Sequence, residues 1–167
     1  GYHMGVTAEN VATKFQVTRQ EQDKFALNSQ EKALKAIKEN KFKDEITNFK
    51  IKSKKAEIDF NKDEHPRDGI NLEGLTRLKP VFQKDGTVTA GNASGINDGA
   101  AAVTLMSEEE AKKRDLKKLV TIKSWASCGV EPALMGTGPI PATKKALDLA
   151  GWKIDDVDLF EVNEAFA

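Results

Sequence analysis

The sequence predicts an α/β protein whose first half is an α+β domain. Residues 96–162 alternate apolar, strand-like runs with helical segments in the order strand, helix, strand, helix, strand, which is typical of layered α/β folds. Residues 1–95 lack this alternation and combine two amphipathic helical patterns with a short hairpin pattern. We therefore expect a structural boundary near Gly95.

Composition narrows the class of protein. The 167 residues carry 26 basic and 26 acidic side chains, and this balance argues against a nucleic-acid-binding surface. No apolar run approaches the roughly 20 residues that span a bilayer. A single cysteine, Cys128, excludes a disulfide framework and, with only two histidines, argues against a structural zinc site. The composition predicts a soluble, cytoplasmic protein without a metal.

Two helices are predicted at the start of the chain. Residues 6–17 place apolar side chains at helical spacing. Thr18 and Glu21 then form a capping-box pattern, in which each side chain bonds the backbone amide of the other residue. A stripe of small and apolar residues continues from there to about Asn40, as expected for an amphipathic surface helix.

A hairpin and a short helix should follow. Residues 46–51 and 56–60 alternate as strands, and the lysine-rich stretch 52–55 reads as their turn. Those lysines are most simply solvated, and a phosphate site is the alternative. A brief helical stripe, which Pro80 ends, is formed by Leu72, Leu75 and Leu78.

The second half supplies the alternating pattern. Strands are predicted at residues 100–106, 119–126 and 157–162. Between them, Ser107 opens a capped helix with a basic end, which suits the helix dipole. A Gly- and Pro-rich loop leads to the second helix, residues 143–150, which Gly151 should cap.

Residue types alone leave the chemistry open. Cys128 has no histidine nearby in sequence, so a small buried hydrophobe is favoured over a nucleophile. His65 and Arg67 flank a proline in an extended loop, where they are either solvated or in contact with a phosphate. The glycine-rich residues 86–99 fit neither a Walker loop nor a dinucleotide fingerprint. They form either a tight connection or a loop that lets an extended ligand approach the backbone.

Asn163 follows the last predicted strand. It is either an ordinary helix N-cap or a polar group at the carboxyl end of a strand, where α/β proteins bind ligands. Both interpretations remain open on the residues themselves.

Several longer motifs resemble those of one known protein family. Asn163-Glu164-Ala165-Phe166 resembles the Asn-Glu-Ala-Phe motif of the thiolases, and residues 87–101 and 135–142 are long, specific similarities to the same family. The opening His3-Met4-Gly5, continued in residues 7–12, is similar to the start of the thiolase loop domain, which favours a family sequence over a tag remnant. We expect an internal piece of a thiolase of the short-chain, acetyl-CoA acetyltransferase type.

The resemblance implies an organisation. Residues 1–95 would be the loop domain, a lid over coenzyme A, residues 96–117 the end of the N-terminal core domain, and residues 118–167 the start of the C-terminal core domain. The core portions would belong to a thiolase-like, layered α/β/α structure. The complete protein would be a homo-oligomer, a tetramer by analogy, with neither a nucleic-acid nor a membrane partner.

The resemblance also implies an activity. Thiolases of this type run a reversible Claisen condensation of two acetyl-CoA to acetoacetyl-CoA and CoA, a reaction of fatty acid metabolism. Coenzyme A is then substrate and product, and no cofactor is required. The two reactive cysteines and the histidine would lie outside this chain, Cys128 matches neither cysteine, and the chain alone should be inactive. The alternatives are a non-catalytic CoA- or lipid-binding relative and a 3-ketoacyl-CoA thiolase of broader chain length.

Individual roles follow from the matched motifs. Asn163 would be catalytic, because the family's asparagine holds a water that stabilises the enolate oxygen. At position 74 this chain has glycine where relatives often carry a serine near the 3′-phosphate of CoA. This difference weakens the assignment of residues to the nucleotide end of CoA. The residues expected to contact the CoA arm, its adenosine phosphates or the acyl group are His3, Met4, Arg67, Val81, Phe82, Ala90, Ser94, Ala165 and Phe166.

Overall fold

The computed structural model describes residues 1–52 and 56–167. The chain divides into two compact units. The first unit comprises Gly1–Gly95 together with Glu164–Ala167, and the second unit comprises Ile96–Asn163. Most of the predicted lysine-rich turn, residues 53–55, lies outside the described residues.

Two helices form the base of the first unit. Helix α1 is Met4–Phe15 and helix α2 is Arg19–Lys38. Helix α1 begins two residues earlier than predicted because the His3 side chain caps it. The capping box before α2 is confirmed: the Thr18 amide donates to a Glu21 carboxylate oxygen at 2.8 Å, and the Glu21 amide donates to the Thr18 hydroxyl at 3.2 Å.

The predicted hairpin is present but shorter. Strands β1, Phe49–Lys52, and β2, Glu57–Phe60, pair antiparallel, with Ile51 opposite Ile58. The first strand therefore starts three residues after Ile46. Every residue of both strands is exposed, so the hairpin contributes nothing to the core of the first unit.

The core of the first unit lies between its helices and the glycine-rich loop. Helix α3, Leu72–Thr76, packs against α2 and buries Leu75. The buried apolar side chains are Ala12, Ala26, Leu75 and Val88. A larger number of buried residues are polar: Thr7, Glu9, Gln22, Asp23, Thr89 and Asn92. In the described part of the chain, no buried polar side-chain atom lacks a hydrogen-bond partner, as a stable core requires.

The second unit contains two helices and two short 3₁₀ turns. Helix α4 is Glu108–Lys113 and helix α5 is Pro139–Ala150. Helix α5 begins four residues before the predicted start, because prolines are tolerated in a first helical turn, where amides have no intrahelical partner. Gly151 ends it in the left-handed region at φ 70°, as predicted.

The three strands predicted for the second unit are not formed, and that prediction is wrong. Residues 100–106, 119–126 and 157–162, all of them described, have no strand assignment and no pairing partner. A strand exists only through hydrogen bonds to a neighbouring strand, so an apolar run by itself does not produce one. Most side chains in these runs are exposed, Leu119 to 88% and Leu159 to 89%.

Candidate functional site

Three aromatic side chains from distant parts of the sequence meet in the first unit. The imidazole of His3 stacks on the ring of Phe82, with centroids 4.7 Å apart and planes 17° apart. Phe166 meets Phe82 edge to face, at 6.3 Å and 83°. Both geometries are favoured by the charge distribution of aromatic rings. Phe82 therefore joins the two ends of the chain, and we call these three residues the aromatic cluster.

Backbone geometry fixes the His3 side of the aromatic cluster. The Gly5 amide donates to Nδ1 of His3 at 3.0 Å, so a ring carrying one proton carries it on Nε2. A Cβ on Gly5 would lie 2.2 Å from ring carbons of Phe82. Glycine at this position thus lets the phenyl ring lie directly against the first turn of α1.

The glycine-rich loop pairs with the end of the chain. The Ser94 amide donates to the Ala165 carbonyl at 2.9 Å, and the Ala167 amide donates to the Asn92 carbonyl at 2.8 Å. These bonds form an isolated antiparallel bridge. The bridge sets Ser94 beside Ala165 and brings Phe166 to the aromatic cluster.

A buried carboxylate anchors the start of that loop. Glu9 accepts hydrogen bonds from the amides of Thr87 and Val88, each at 2.8 Å, and from the Thr87 hydroxyl at 2.8 Å. Gln22 donates to the same hydroxyl at 2.8 Å. Gly86 leaves room for this contact, because a Cβ there would lie 2.3 Å from Glu9 Oε1. Several donors to one carboxylate compensate for removing it from water.

A second buried carboxylate anchors the end of the loop. Asp23, which is 0% exposed, accepts from Arg19 Nε at 2.8 Å and from Asn92 Nδ2 at 3.0 Å. Asn92 uses the rest of its amide on the loop itself, accepting from the Thr89 amide at 2.8 Å and donating to the Thr87 carbonyl at 3.0 Å. The side chain of Asn92 thus ties helix α2 to both ends of one turn.

The same anchor reaches helix α3. Arg19 also donates to the carbonyls of Leu75 at 2.8 Å and Leu78 at 2.9 Å, which lie at the C-terminal end of α3. Gly91 packs closely on these leucines, since a Cβ there would lie 2.5 Å from Leu78 and 2.6 Å from Leu75. Hydrogen bonds and close contacts therefore join the loop, α2 and α3 to one another.

The first unit brings together several residues that the sequence predicted for CoA binding: His3, Phe82, Ser94, Ala165 and Phe166. Met4 follows His3 as the first residue of α1 and is about half exposed. The Val81 amide donates to the Val88 carbonyl at 3.0 Å, and Ala90 is an exposed residue of the loop. All of these residues lie in the first unit.

Two predicted residues, Arg67 and Asn163, are not among those that these contacts join. Arg67 is exposed, its backbone amide donates to Gln30 of α2 at 3.0 Å, and its guanidinium has no hydrogen bond or ion pair with any described residue. Asn163 is exposed and is the last residue of the second unit, directly before Glu164 in the chain. The functional roles assigned to these residues stay predictions.

Sequence reasoning missed the buried polar residues Glu9, Asp23 and Asn92, and it gave Glu164 no role. In the structure, the Ser29 hydroxyl of α2 donates to the Glu164 carboxylate at 2.5 Å. One signal was available: Asp23 lies three residues before Ala26 on the same helical stripe, where a carboxylate must be paired if the stripe is buried.

The described residues form neither a metal site nor a membrane-spanning helix. Among the described residues, no three His, Cys, Asp or Glu side chains converge as metal ligands. None of the described helices combines the length and the apolar character needed to cross a membrane. Cys128 is a free cysteine of intermediate exposure in the second unit.

Comparison with known proteins identifies the relatives of this chain. The family model described as "Thiolase, N-terminal domain" matches residues 1–109, and "Thiolase, C-terminal domain" matches residues 116–167. An acetyl-CoA acetyltransferase of Shinella zoogloeoides is 59% identical over all 167 residues, which cover 43% of its own length.

Solved structures agree with this result. The crystal structure of the Bacillus anthracis acetyl-CoA acetyltransferase has a TM-score of 0.91 and 51% identity over 99% of this chain and 42% of that one. Human mitochondrial 3-ketoacyl-CoA thiolase in complex with CoA has a TM-score of 0.87 and 46% identity over 98% of this chain and 40% of that one. The chain spans less than half the length of each of these relatives. Two family models in sequence order, a high identity and a shared α/β fold confirm the predicted resemblance, and the chain belongs to the thiolase family.

Proposed function

We propose that this chain is part of an acetyl-CoA acetyltransferase that condenses two acetyl-CoA to acetoacetyl-CoA and CoA, reversibly. The observation that carries the proposal is the contact between His3, Phe82 and Phe166, with Ser94 bonded to Ala165 beside them. A thin, apolar surface with one hydroxyl and nearby backbone amides suits the pantetheine arm of CoA, which is narrow and carries amides.

The reaction needs groups that this chain does not supply. In the proposed reaction, a cysteine thiolate attacks the thioester carbonyl of acetyl-CoA, forming an acyl-enzyme, and CoA leaves as the thiol. A second cysteine takes an α-proton from the next acetyl-CoA, and the resulting carbanion attacks the acyl-enzyme. The new carbon–carbon bond gives acetoacetyl-CoA while the carbon–sulfur bond to the first cysteine breaks. We infer that the two cysteines and the activating histidine belong to the part of the relatives' length that this chain does not cover.

Residues of this chain would bind the acyl-CoA and stabilise the enolate. The Asn163 amide would hold a water that, with the histidine, stabilises the enolate oxygen, which explains an uncharged donor at that position. Met4 would limit the length of the acyl group. This proposal also includes a cytoplasmic location, a role in fatty acid metabolism and a homotetramer. It divides the chain into a lid (1–95), the end of the N-terminal core (96–117) and the start of the C-terminal core (118–167).

A segment exchange tests the proposal. This chain would replace the matching segment of the Shinella zoogloeoides enzyme, to which it aligns along its whole length, and acetoacetyl-CoA-forming turnover would be measured. We expect turnover comparable with that of the relative, and a loss of about 10²–10³ in kcat when the hybrid also carries Asn163→Ala. A folded hybrid without turnover contradicts the proposal. The chain alone should give no turnover above background.

Arg67→Ala in the same hybrid tests the nucleotide end of the site. Because the Arg67 guanidinium has no partner among the described residues, it is available for a phosphate. A contact remote from the reacting carbons binds ground state and transition state equally, so the KM for CoA should rise more than kcat falls. An unchanged KM would remove Arg67 from the site.

The resemblance to the human 3-ketoacyl-CoA thiolase favours one alternative, a thiolase of broader chain length. About half of Met4 is exposed, so its side chain has room to move away from a longer acyl group. The kcat/KM of the hybrid for a series of 3-ketoacyl-CoA substrates separates the two candidates. A sharp preference for the four-carbon substrate supports the proposal, whereas a flat series supports the alternative. Binding of CoA without turnover would instead indicate a non-catalytic relative.

A further inference from the structure

We propose that Asn92 is a positioning residue that sets the register of the CoA-binding loop against the segment Glu164–Ala167. The inference rests on the proposed function, because the residues being positioned, Ser94, Ala165 and Phe166, are those assigned to the acyl-CoA arm. Asn92 itself is 2% exposed, so its side chain is not accessible to a substrate.

The first step is the fixed side chain of Asn92. Asp23, on helix α2, accepts from its Nδ2, and Arg19 holds the other oxygen of the same carboxylate. The Asn92 oxygen accepts from the Thr89 amide, so the amide group cannot rotate without losing bonds at both ends. A buried amide with all these partners has a single favourable orientation.

The second step is the backbone of the same residue. The Asn92 carbonyl accepts from the Ala167 amide at 2.8 Å, and two residues later the Ser94 amide donates to the Ala165 carbonyl at 2.9 Å. In an antiparallel pair, a slip by one residue turns each side chain to the opposite face. Among the described residues, two hydrogen bonds form this bridge, so it needs an external anchor to define its register.

The third step is the consequence for binding. Without the Asn92 side chain, the end of the loop loses its hydrogen bond to Asp23 of α2, while the bond from Gln22 to the Thr87 hydroxyl remains at the start. Ser94 and Phe166 then no longer hold a fixed position relative to Phe82. No group that reacts is removed. The change should therefore appear in the KM for acyl-CoA and leave kcat nearly unaltered, whereas a global loss of folded enzyme would lower the apparent kcat.

Asn92→Ala in the hybrid enzyme, compared with Asn48→Ala, tests this. Asn48 donates to Asp59 at 2.8 Å, so it is also an Asn–Asp pair, but it is exposed and lies in the hairpin region. We expect the KM for acetyl-CoA to rise about tenfold in Asn92→Ala with kcat within about threefold, and both constants to stay within about twofold in Asn48→Ala. An unchanged KM in Asn92→Ala, or an equal rise in the hairpin variant, overturns the proposal.

Amide hydrogen exchange gives a second test that needs no catalysis. In the present chain, Asn92→Ala should speed exchange at Ser94 and Ala167 about tenfold relative to the amides of α2, and Asn48→Ala should not. If Asn92→Ala does not fold, Asn92→Asp decides by the same criterion, because a carboxylate at position 92 keeps the acceptor for the Thr89 amide but has no N–H to donate to Asp23. Equal protection of Ser94 and Ala167 in wild type and variant overturns the register role, whether or not the hybrid has activity. An inactive hybrid instead contradicts the proposed function.

Discussion

The first unit buries side chains from each of its helices, whereas in the second unit no residue from Ile96 to Asn163, all of them described, is buried. The two units have similar local sequence patterns, since both contain capped helices and apolar runs. They differ in whether those elements have other elements to pack against. In the first unit, α1, α2, α3 and the loop supply one another with hydrogen bonds and contacts. In the second unit, the apolar runs find no neighbouring strand. Capped helices form from local signals, but burial requires a second surface.

Truncating one leucine in each unit should give the largest contrast. Leu75→Ala removes a side chain that is 2% exposed and should cost about 2–5 kcal/mol of the stability of the first unit. Leu119→Ala removes one that is 88% exposed and should change stability by less than about 0.5 kcal/mol. Hydrogen exchange of the α2 and α5 amides reports the two units separately. Equal losses would show that the contrast between the units is wrong.

This contrast also explains why the helices were predicted correctly from the sequence and the strands of the second unit were not. The helices were predictable because their signals are local: Thr18 and Glu21 cap α2, and Gly151 ends α5. The prediction of three strands in the second unit was wrong because a strand needs a neighbouring strand from elsewhere in the sequence. The periodicity of one segment does not reveal that neighbour. Residue types and spacing predicted an α/β protein and left its chemistry open.

The candidate site shows the same division. The family resemblance indicated Phe82, Ser94 and Phe166. In the first unit Phe166 contacts Phe82, and Ser94 bonds to Ala165, the neighbour of Phe166 in the chain. The residues that hold them, Glu9 and Asn92, were not predicted. A polar side chain in a helix or loop usually faces water, and only the fold determines which of them is buried with a partner.

Adding one methyl group to a glycine should give a smaller contrast of the same kind. Gly5→Ala places a Cβ 2.2 Å from the ring of Phe82, so the ring must move. Overpacking costs about 1–3 kcal/mol, and the better helix propensity of alanine offsets up to about 1 kcal/mol of this. We expect a net loss of about 1 kcal/mol and large changes in the NMR signals of His3, Phe82 and Phe166.

Gly129→Ala is the matched control, because nothing lies within 4 Å of a Cβ at that position of the second unit. Its effect on stability should stay within about 0.5 kcal/mol. If Gly5→Ala leaves the aromatic signals unchanged, Phe82 does not pack on α1 as described.

The smallest contrast concerns two carboxylates at helix starts. Hydrogen bonds from the Thr18 amide and hydroxyl lower the pKa of Glu21, whereas a hydrogen bond and the charge of Lys112 lower the pKa of Glu108. Because both pKa values fall below 4.5 on folding, each carboxylate stabilises the folded chain above that pH, and the contribution disappears as the pH falls through the lowered value.

Salt should separate the two carboxylates. The lysine charge is screened in concentrated salt, so the pKa of Glu108 should move back towards its ordinary value, while that of Glu21 should move less. Carboxyl-carbon NMR titrations at low and high salt measure both. A larger salt effect on Glu21 than on Glu108 would contradict the stated causes.

The position of the bound CoA arm tests most directly the proposal that Phe82 and Ser94 bind acyl-CoA. A crystal structure of the hybrid enzyme with acetyl-CoA would locate the pantetheine chain relative to the first unit. We predict contact, within about 4.5 Å, between that chain and both Phe82 and Ser94. An arm bound elsewhere, with the His3–Phe82–Phe166 cluster unchanged and in contact with no ligand atom, would contradict it.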